Sequence, residues 1–317
     1  MLLYVLRRLL LMIPMVVFIT AFVFLLGQFA APDIAFERTI RLNDGVFDPE
    51  IYETLRVNMG LDGSVLERFG RFIAGAVTGD FGVSWTLPGN PEIGPLILKA
   101  LPISMQLGAA ALVMALAVGI PLGVLAAAYR GKFGDYATVT VATILASIPP
   151  FVLAPLALVL FVTTIPILPT TGFGWHGIFS VEAILPAALL AVGPLIIVVR
   201  YTRAAVIDTM AREFIRAARA KGLAERLVIG RHVLKNSMTP LLSAIGVIAG
   251  FLLSGTIFIE TVFGIKGFGF VSVTAFRSGD INTVAAATLV SGMITAIVNL
   301  VTDLCYGVLD PRVRIEA

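Results

Sequence analysis

The sequence predicts an all-α integral membrane protein with six transmembrane helices and an extracytoplasmic insertion after the first. Composition comes first: 58% of the 317 residues are hydrophobic and only 14% charged, against about half and a quarter in soluble domains. Spacing comes second, because the apolar residues arrive in separated runs near the roughly 20 residues that cross a bilayer. Third, the basic residues sit in short segments beside those runs and fall on one side of a six-span arrangement.

The first run, Leu9 to Phe29, follows Arg7 and Arg8. It exceeds the usual 7–15 apolar residues of a secretory signal peptide, so it reads as a helix that stays in the membrane rather than one cleaved after Phe29-Ala30-Ala31. Residues 1–30 therefore form the N-terminal span, 31–100 the insertion and 101–317 a five-helix core. In the insertion the acids, Asp33, Glu37, Asp44, Asp48, Glu50, Glu53, Asp62, Glu67, Asp80 and Glu92, outnumber Lys and Arg. Asp48 as N-cap and Pro49 at the first helical position predict a helix running toward Met59, stopped by Gly60. It reads either as a docking surface for an external partner or as a spacer.

Five further runs span Leu101 to Tyr129, Tyr136 to Ile165, Ile184 to Val199, Leu241 to Ile259 and Val284 to Val301. The run from Ile184 is short, but Tyr201, Thr202 and Ala204 to Ile207 extend it if Arg200 and Arg203 snorkel to the headgroups. Prolines at 102, 121, 149, 150, 155, 186 and 194 predict kinks that neighbouring helices compensate. Gly119 with Gly123, and Gly246 with Gly250, have the small-xxx-small spacing of closely packed membrane helices.

Orientation follows from Arg7, Arg8, Arg130, Lys132, the segment 200–236, Arg312 and Arg314, which place both termini in the cytoplasm. The net charge of +3 and the pI near 9.2 are thus a matter of topology, and no nucleic acid is implied.

Between their ends the spans hold essentially no Asp, Glu, Lys or Arg, which argues against a proton- or ion-coupled carrier. Asp303, near the cytoplasmic end of the last span, reads as structural. His176 and His232 lie on opposite sides of the membrane, Cys305 is alone, and neither HExxH nor GxSxG occurs, so no catalytic constellation and no metal site is expected. The glycine-rich stretch Gly264 to Gly269 fits neither phosphate-binding pattern, so any driving ATP is bound by another chain.

The segment 200–236 is longer and more charged than a connection requires. At about 100° per residue Met210, Phe214, Ala217 and Ala218 share one helix face and Arg212, Arg216 and Arg219 the other. Gly222 is the expected stop and Leu223 to Lys235 a second helix. By spacing alone this amphipathic element sits either on anionic lipid or on a protein partner.

The stretch Glu213-Phe214-Ile215-Arg216-Ala217-Ala218-Arg219-Ala220-Lys221-Gly222-Leu223, with Arg231-His232 and Asn236 beyond it, resembles the EAA loop of binding-protein-dependent ABC importer permeases. Glu260-Thr261-Val262-Phe263-Gly264 with Gly267 and Gly269, the terminal Asp303-Leu304-Cys305-Tyr306 and Leu309-Asp310-Pro311-Arg312, and the opening Arg7-Arg8-Leu9 are similar to the oligopeptide, dipeptide and nickel branch. Glu37-Arg38-Thr39, Gly79-Asp80-Phe81-Gly82 and Gln106-Leu107-Gly108 resemble the oligopeptide-type first permease most.

The resemblance implies the type I importer permease fold and an inner-membrane location in a prokaryote. It implies a second homologous permease, two ABC ATPase subunits, an extracytoplasmic solute-binding protein, and ATP with Mg on the ATPases alone. Glu213, Arg216, Ala217, Ala218, Gly222 and Leu223 become the ATPase-docking residues, with Ala217, Ala218 and Gly222 small enough for close approach. Glu260, Gly264 and Gly267 become a candidate pathway or gate loop. The sequence departs from the family where Arg216 stands in place of the eponymous Glu, and where Pro32-Asp33 replaces a longer motif. Peptide is the expected cargo; dipeptides, nickel complexes and oligosaccharides are the alternatives within the class, and a stand-alone channel or carrier lies outside it.

Overall fold

The computed structural model describes residues 2–30, 33–169 and 175–309. Its helices are α1 (Leu2–Ala30), α2 (Ile34–Leu42), α3 (Pro49–Asn58), α4 (Val65–Thr78), α5 (Ile93–Ala128), α6 (Phe133–Ser147), α7 (Pro150–Leu158), α8 (Ile184–Met210), α9 (Glu213–Ala220), α10 (Glu225–Leu227), α11 (Leu234–Phe263), α12 (Phe268–Arg277) and α13 (Ile281–Leu309). Two π-helical segments, Val159–Thr164 and Val228–Val233, continue α7 and join α10 to α11. Four helices are long and apolar enough to cross a membrane, and six spans result when each of two broken pairs counts as one. Arg312 and Arg314, the Asp310-Pro311 pair, the environment of Gly250, and the side chains of Asp303 and Cys305 lie outside the described residues.

Each expected apolar run holds a helix, but several boundaries move. The run from Tyr136 is not one rod: Pro149 and Pro150 remove two backbone donors, and α6 and α7 meet at 95°. The run from Leu101 begins eight residues earlier, at Ile93, and spans 36 residues. The short fourth run extends past Arg200 as its apolar continuation allows: α8 stays helical to Met210, with Arg200 and Arg203 inside it.

The chain divides into two compact units, Met1–Ile103 with Lys266–Ile297, and Ser104–Ile265 with Val298–Ala317. In the first unit α4 is amphipathic, and its Phe69 and Phe72 pack on Phe24 of α1 at ring separations of 5.5 and 5.8 Å. Phe81 extends the stack to form the core with Ile93, Ile97 and the small run Ala285, Ala286 and Ala287. Ser64 and Glu67 cap α4 reciprocally. The expected helix is α3: Asp48 accepts from the backbone N–H groups of Glu50 and Ile51, and Met59 and Gly60 end it.

In the second unit α8 packs most extensively on α11. Gly119 and Gly123 let α5 approach α8 as their spacing predicts. A Cβ on Gly119 would lie 2.7 Å from Val198 Cγ1, and one on Gly123 2.6 Å from Thr202 Cβ. Gly246 approaches Thr302 in the same way.

Candidate functional site

The segment between α8 and α11 is built as a helix, a tight turn and a helix. α8 ends at Met210, Arg212 turns extended as the N-cap, and α9 restarts at Glu213. That break resets the helical phase, so the buried face of α9 is Ile215 and Ala218, while Phe214 and Ala217 are exposed. The expected apolar face of Met210, Phe214, Ala217 and Ala218 is corrected accordingly. Ile215 and Ala218 sit in a small core with Ala127, Val206, Val228 and Val233, which plants the turn on α5, α8 and the segment leading into α11.

The turn itself is a Schellman motif: the Gly222 N–H donates to Arg219 O at 2.9 Å and the Leu223 N–H to Ala218 O at 3.4 Å. Gly222 holds φ +78°, a left-handed conformation that favours glycine, and no atom lies within 4 Å of where its Cβ would be. Arg219 then bridges the turn, donating from Nη2 to Glu225 Oε1 at 2.6 Å and from Nε to Oε2 at 3.1 Å. These bonds hold the Glu225 carboxyl below the usual carboxylate range. Glu213, Arg216, Ala217, Gly222 and Leu223 are all exposed, and only Ala218 of the expected docking residues turns inward. The result is a rigid knob with small residues and charge at its tip.

Behind the knob, Arg203 of α8 meets Asp135 of α6. Nε lies 2.6 Å from Oδ1 and Nη2 2.7 Å from Oδ2, and the Gly131 N–H adds a third bond to the carboxylate at 3.0 Å. Arg203 thus has a buried counter-ion and keeps 31% of its side chain exposed. Ser237 of α11 donates to Thr209 Oγ1 of α8 at 3.1 Å nearby.

Of the gate candidates, Glu260 is not in a loop. It occupies the last turns of α11 with no exposed surface and accepts from the Ser104 hydroxyl of α5. Gly264 ends α11 in the left-handed region at φ +65°, and Gly267 opens α12 in extended conformation. Two acids at helix ends, Asp135 in the first turn of α6 and Glu260 in the last turn of α11, are buried, and each has its partner.

Sequence reasoning missed Asp135 and also Asp280. Asp280 caps α13 by accepting from the Thr283 N–H at 3.0 Å, and its other oxygen accepts from Ser84 and, at 3.2 Å, from Thr86. The available signal for Asp135 was Arg203 itself, since a guanidinium inside a span calls for a partner.

Residues 119–315, more than half of the chain, match the family described as binding-protein-dependent transport system inner membrane component. The chain is 30% identical to the dipeptide transport system permease protein DppB of Bacillus subtilis, over 99% of this chain and 98% of that one. It is 33% identical to a putative peptide permease protein of Brucella ovis, over 99% and 100% of the two chains. With the glutathione transport system permease protein GsiC of Escherichia coli K12 it shares 32% identity over 98% of each. A solved MetNI methionine ABC transporter in an inward-facing conformation superposes with a TM-score of 0.54 at 17% identity, over 68% of this chain and 96% of that one, which speaks to fold alone. The expected type I importer permease fold stands on this likeness. The chain belongs to the family of binding-protein-dependent transport system inner membrane components.

Proposed function

We propose that the chain is the peptide-conducting permease subunit of an ATP-driven importer, and that the turn at Gly222 is the surface on which an ATPase subunit docks. The observation that carries the docking role is the knob itself. Its tip is exposed, its backbone is locked by the Schellman bonds, and its inner face is buried against α5 and α8. Among the described residues neither Glu213 nor Arg216 has an ion-pair partner, leaving both charges for another chain.

Peptide as cargo is supported by the relatives, whose names specify dipeptides, peptides and glutathione. ATP hydrolysis belongs to partner subunits, a second homologous permease completes the pathway, and a binding protein delivers the peptide to the side opposite the knob. ATPase closure acts only through its different affinity for the two states of the permease, so a rigid connection is what transmits it.

The test is reconstitution in vesicles with the second permease, the ATPase subunits and the binding protein, using labelled peptides of graded length. ATP-dependent accumulation of peptide is the expected result. Accumulation without ATP, or of nickel complexes or oligosaccharides but no peptide, overturns the proposal.

A further inference from the structure

The first unit contains a cavity of about 280 Å³ between α4, the C-terminal end of α1, the N-terminal end of α13 and the loop that follows α4. Its walls are largely aromatic and apolar, with Phe24, Phe72, Phe81, Trp85 and Met59 among them. Two arginines of α4, Arg68 and Arg71, line it one turn apart, and their circumstances differ.

Arg71 is saturated: it donates to both carboxylate oxygens of Asp62, at 3.1 and 2.9 Å, and to the carbonyls of Gly60 and Asp62 at 3.1 and 2.6 Å. Arg68 has a buried Nε with no hydrogen-bond partner among the described residues. Acids that line the cavity do not answer it. Asp280 is committed to Ser84, Thr86 and the Thr283 N–H, and Asp80 accepts from the Gly82 N–H at 2.9 Å. A buried guanidinium donor left unpaired is costly, and most such groups in folded proteins find a partner. Desolvation, with Arg56 and Arg71 nearby, pushes the Arg68 pKa down from its usual value. An anion paired with the Arg68 guanidinium offsets both the desolvation of its charge and the repulsion from Arg56 and Arg71.

We propose that this cavity is a binding site for the C-terminal residue of a peptide, with the terminal carboxylate on Arg68 and the side chain among the aromatic rings. The volume lies just below that of sites for drug-sized molecules, so it takes one residue and not a whole oligopeptide. A planar guanidinium pairs with a carboxylate through two parallel bonds, which suits this anion better than a point charge would. The inference rests on the peptide-importer reading and places a contact in the first unit, whereas Gly222 belongs to the second.

The protein holds two tryptophans, and Trp85 lines the cavity. The full-length chain carrying W175F, in phosphatidylcholine nanodiscs, therefore reports on the site through Trp85 fluorescence alone. The probes are N-acetylalanylphenylalanine and its C-terminal amide, which differ by one charge. We expect saturable titration by the acid and at least about tenfold weaker binding of the amide, the value of one charge-assisted bond. R68M should weaken the acid to the level of the amide, and R68K should recover part of the difference.

Equal titration by acid and amide overturns the proposal without recourse to any variant, as does an R68M chain that binds the acid unchanged. A Trp85 response that needs phosphatidylglycerol in the disc and ignores the peptide also overturns it, in favour of a lipid headgroup. Normal ATP-driven peptide uptake alongside a silent Trp85 would sink this inference and leave the importer function intact.

Discussion

Arg203 on α8 and Asp135 on α6 form a two-pronged ion pair whose acid is almost wholly buried, with N–O distances of 2.6 and 2.7 Å. The partners are 68 residues apart in sequence. The pair fixes the start of α6 against α8, the helix whose Val206 belongs to the small core beneath the Gly222 turn. It neutralises Arg203 within α8.

Removing only the acid should strand Arg203. Breaking a buried pair typically costs about 3–5 kcal/mol, but Arg203 keeps 31% of its side chain exposed. We expect about 2 kcal/mol for Asp135→Leu, seen as a lower apparent Tm of the purified protein. Asp135→Leu with Arg203→Leu should recover more than half of that loss. A double variant as unstable as the sum of both singles would contradict the account.

The α5–α8 contact makes a second prediction. A side chain on Gly123 meets Thr202 and the Val199 carbonyl within 2.8 Å, whereas one on Gly193 of α8 meets nothing within 4 Å. Gly123→Val should destabilise by about 1–3 kcal/mol through overpacking. Gly193→Ala should be neutral or stabilise by up to about 1 kcal/mol. Thermal unfolding of both in the same detergent checks the contrast, and equal losses would refute it.

Asp62 supplies a pH dependence. Hydrogen bonds from Arg71 hold its carboxyl below the usual range. A depressed folded-state pKa contributes stability that is present above the unfolded value of about 4 and lost as pH falls through the folded one. Asp62→Asn should therefore lower the apparent Tm at neutral pH, with the gap to wild type closing progressively below about pH 4. A gap unchanged at about pH 2.5 would count against the pairing.

Local signals carried much of this architecture. Asp48 and Pro49 gave the start of α3, Gly222 the end of α9, and the apolar runs the six spans, because caps, left-handed glycines and hydrophobic length all act over a few residues. What the sequence concealed depends on partners far along the chain. Lys99 interrupts the apolar run, so α5 was expected to start at Leu101 instead of Ile93. That Arg203 has a counter-ion was hidden because Asp135 is 68 residues away. The buried face of α9 was misjudged because Arg212 breaks the helix, and a wheel drawn from Met210 keeps a phase the backbone has abandoned. Glu260 looked like part of an external loop because its partner, Ser104, is 156 residues away.

The central claim, that the turn at Gly222 couples this chain to an ATPase, is tested most directly by comparing Gly222→Trp with Gly222→Asn in the reconstituted importer. Both lose glycine, but Asn tolerates the left-handed conformation and stays small, whereas Trp fills the open space at the tip of the knob. Binding-protein-stimulated ATP hydrolysis and peptide uptake should be at least half of wild type for Gly222→Asn. For Gly222→Trp, both should fall at least about tenfold, a coupling loss of more than about 1.4 kcal/mol. A Gly222→Trp importer that assembles with its ATPases, hydrolyses ATP on stimulation and takes up peptide at the wild-type rate would contradict the account.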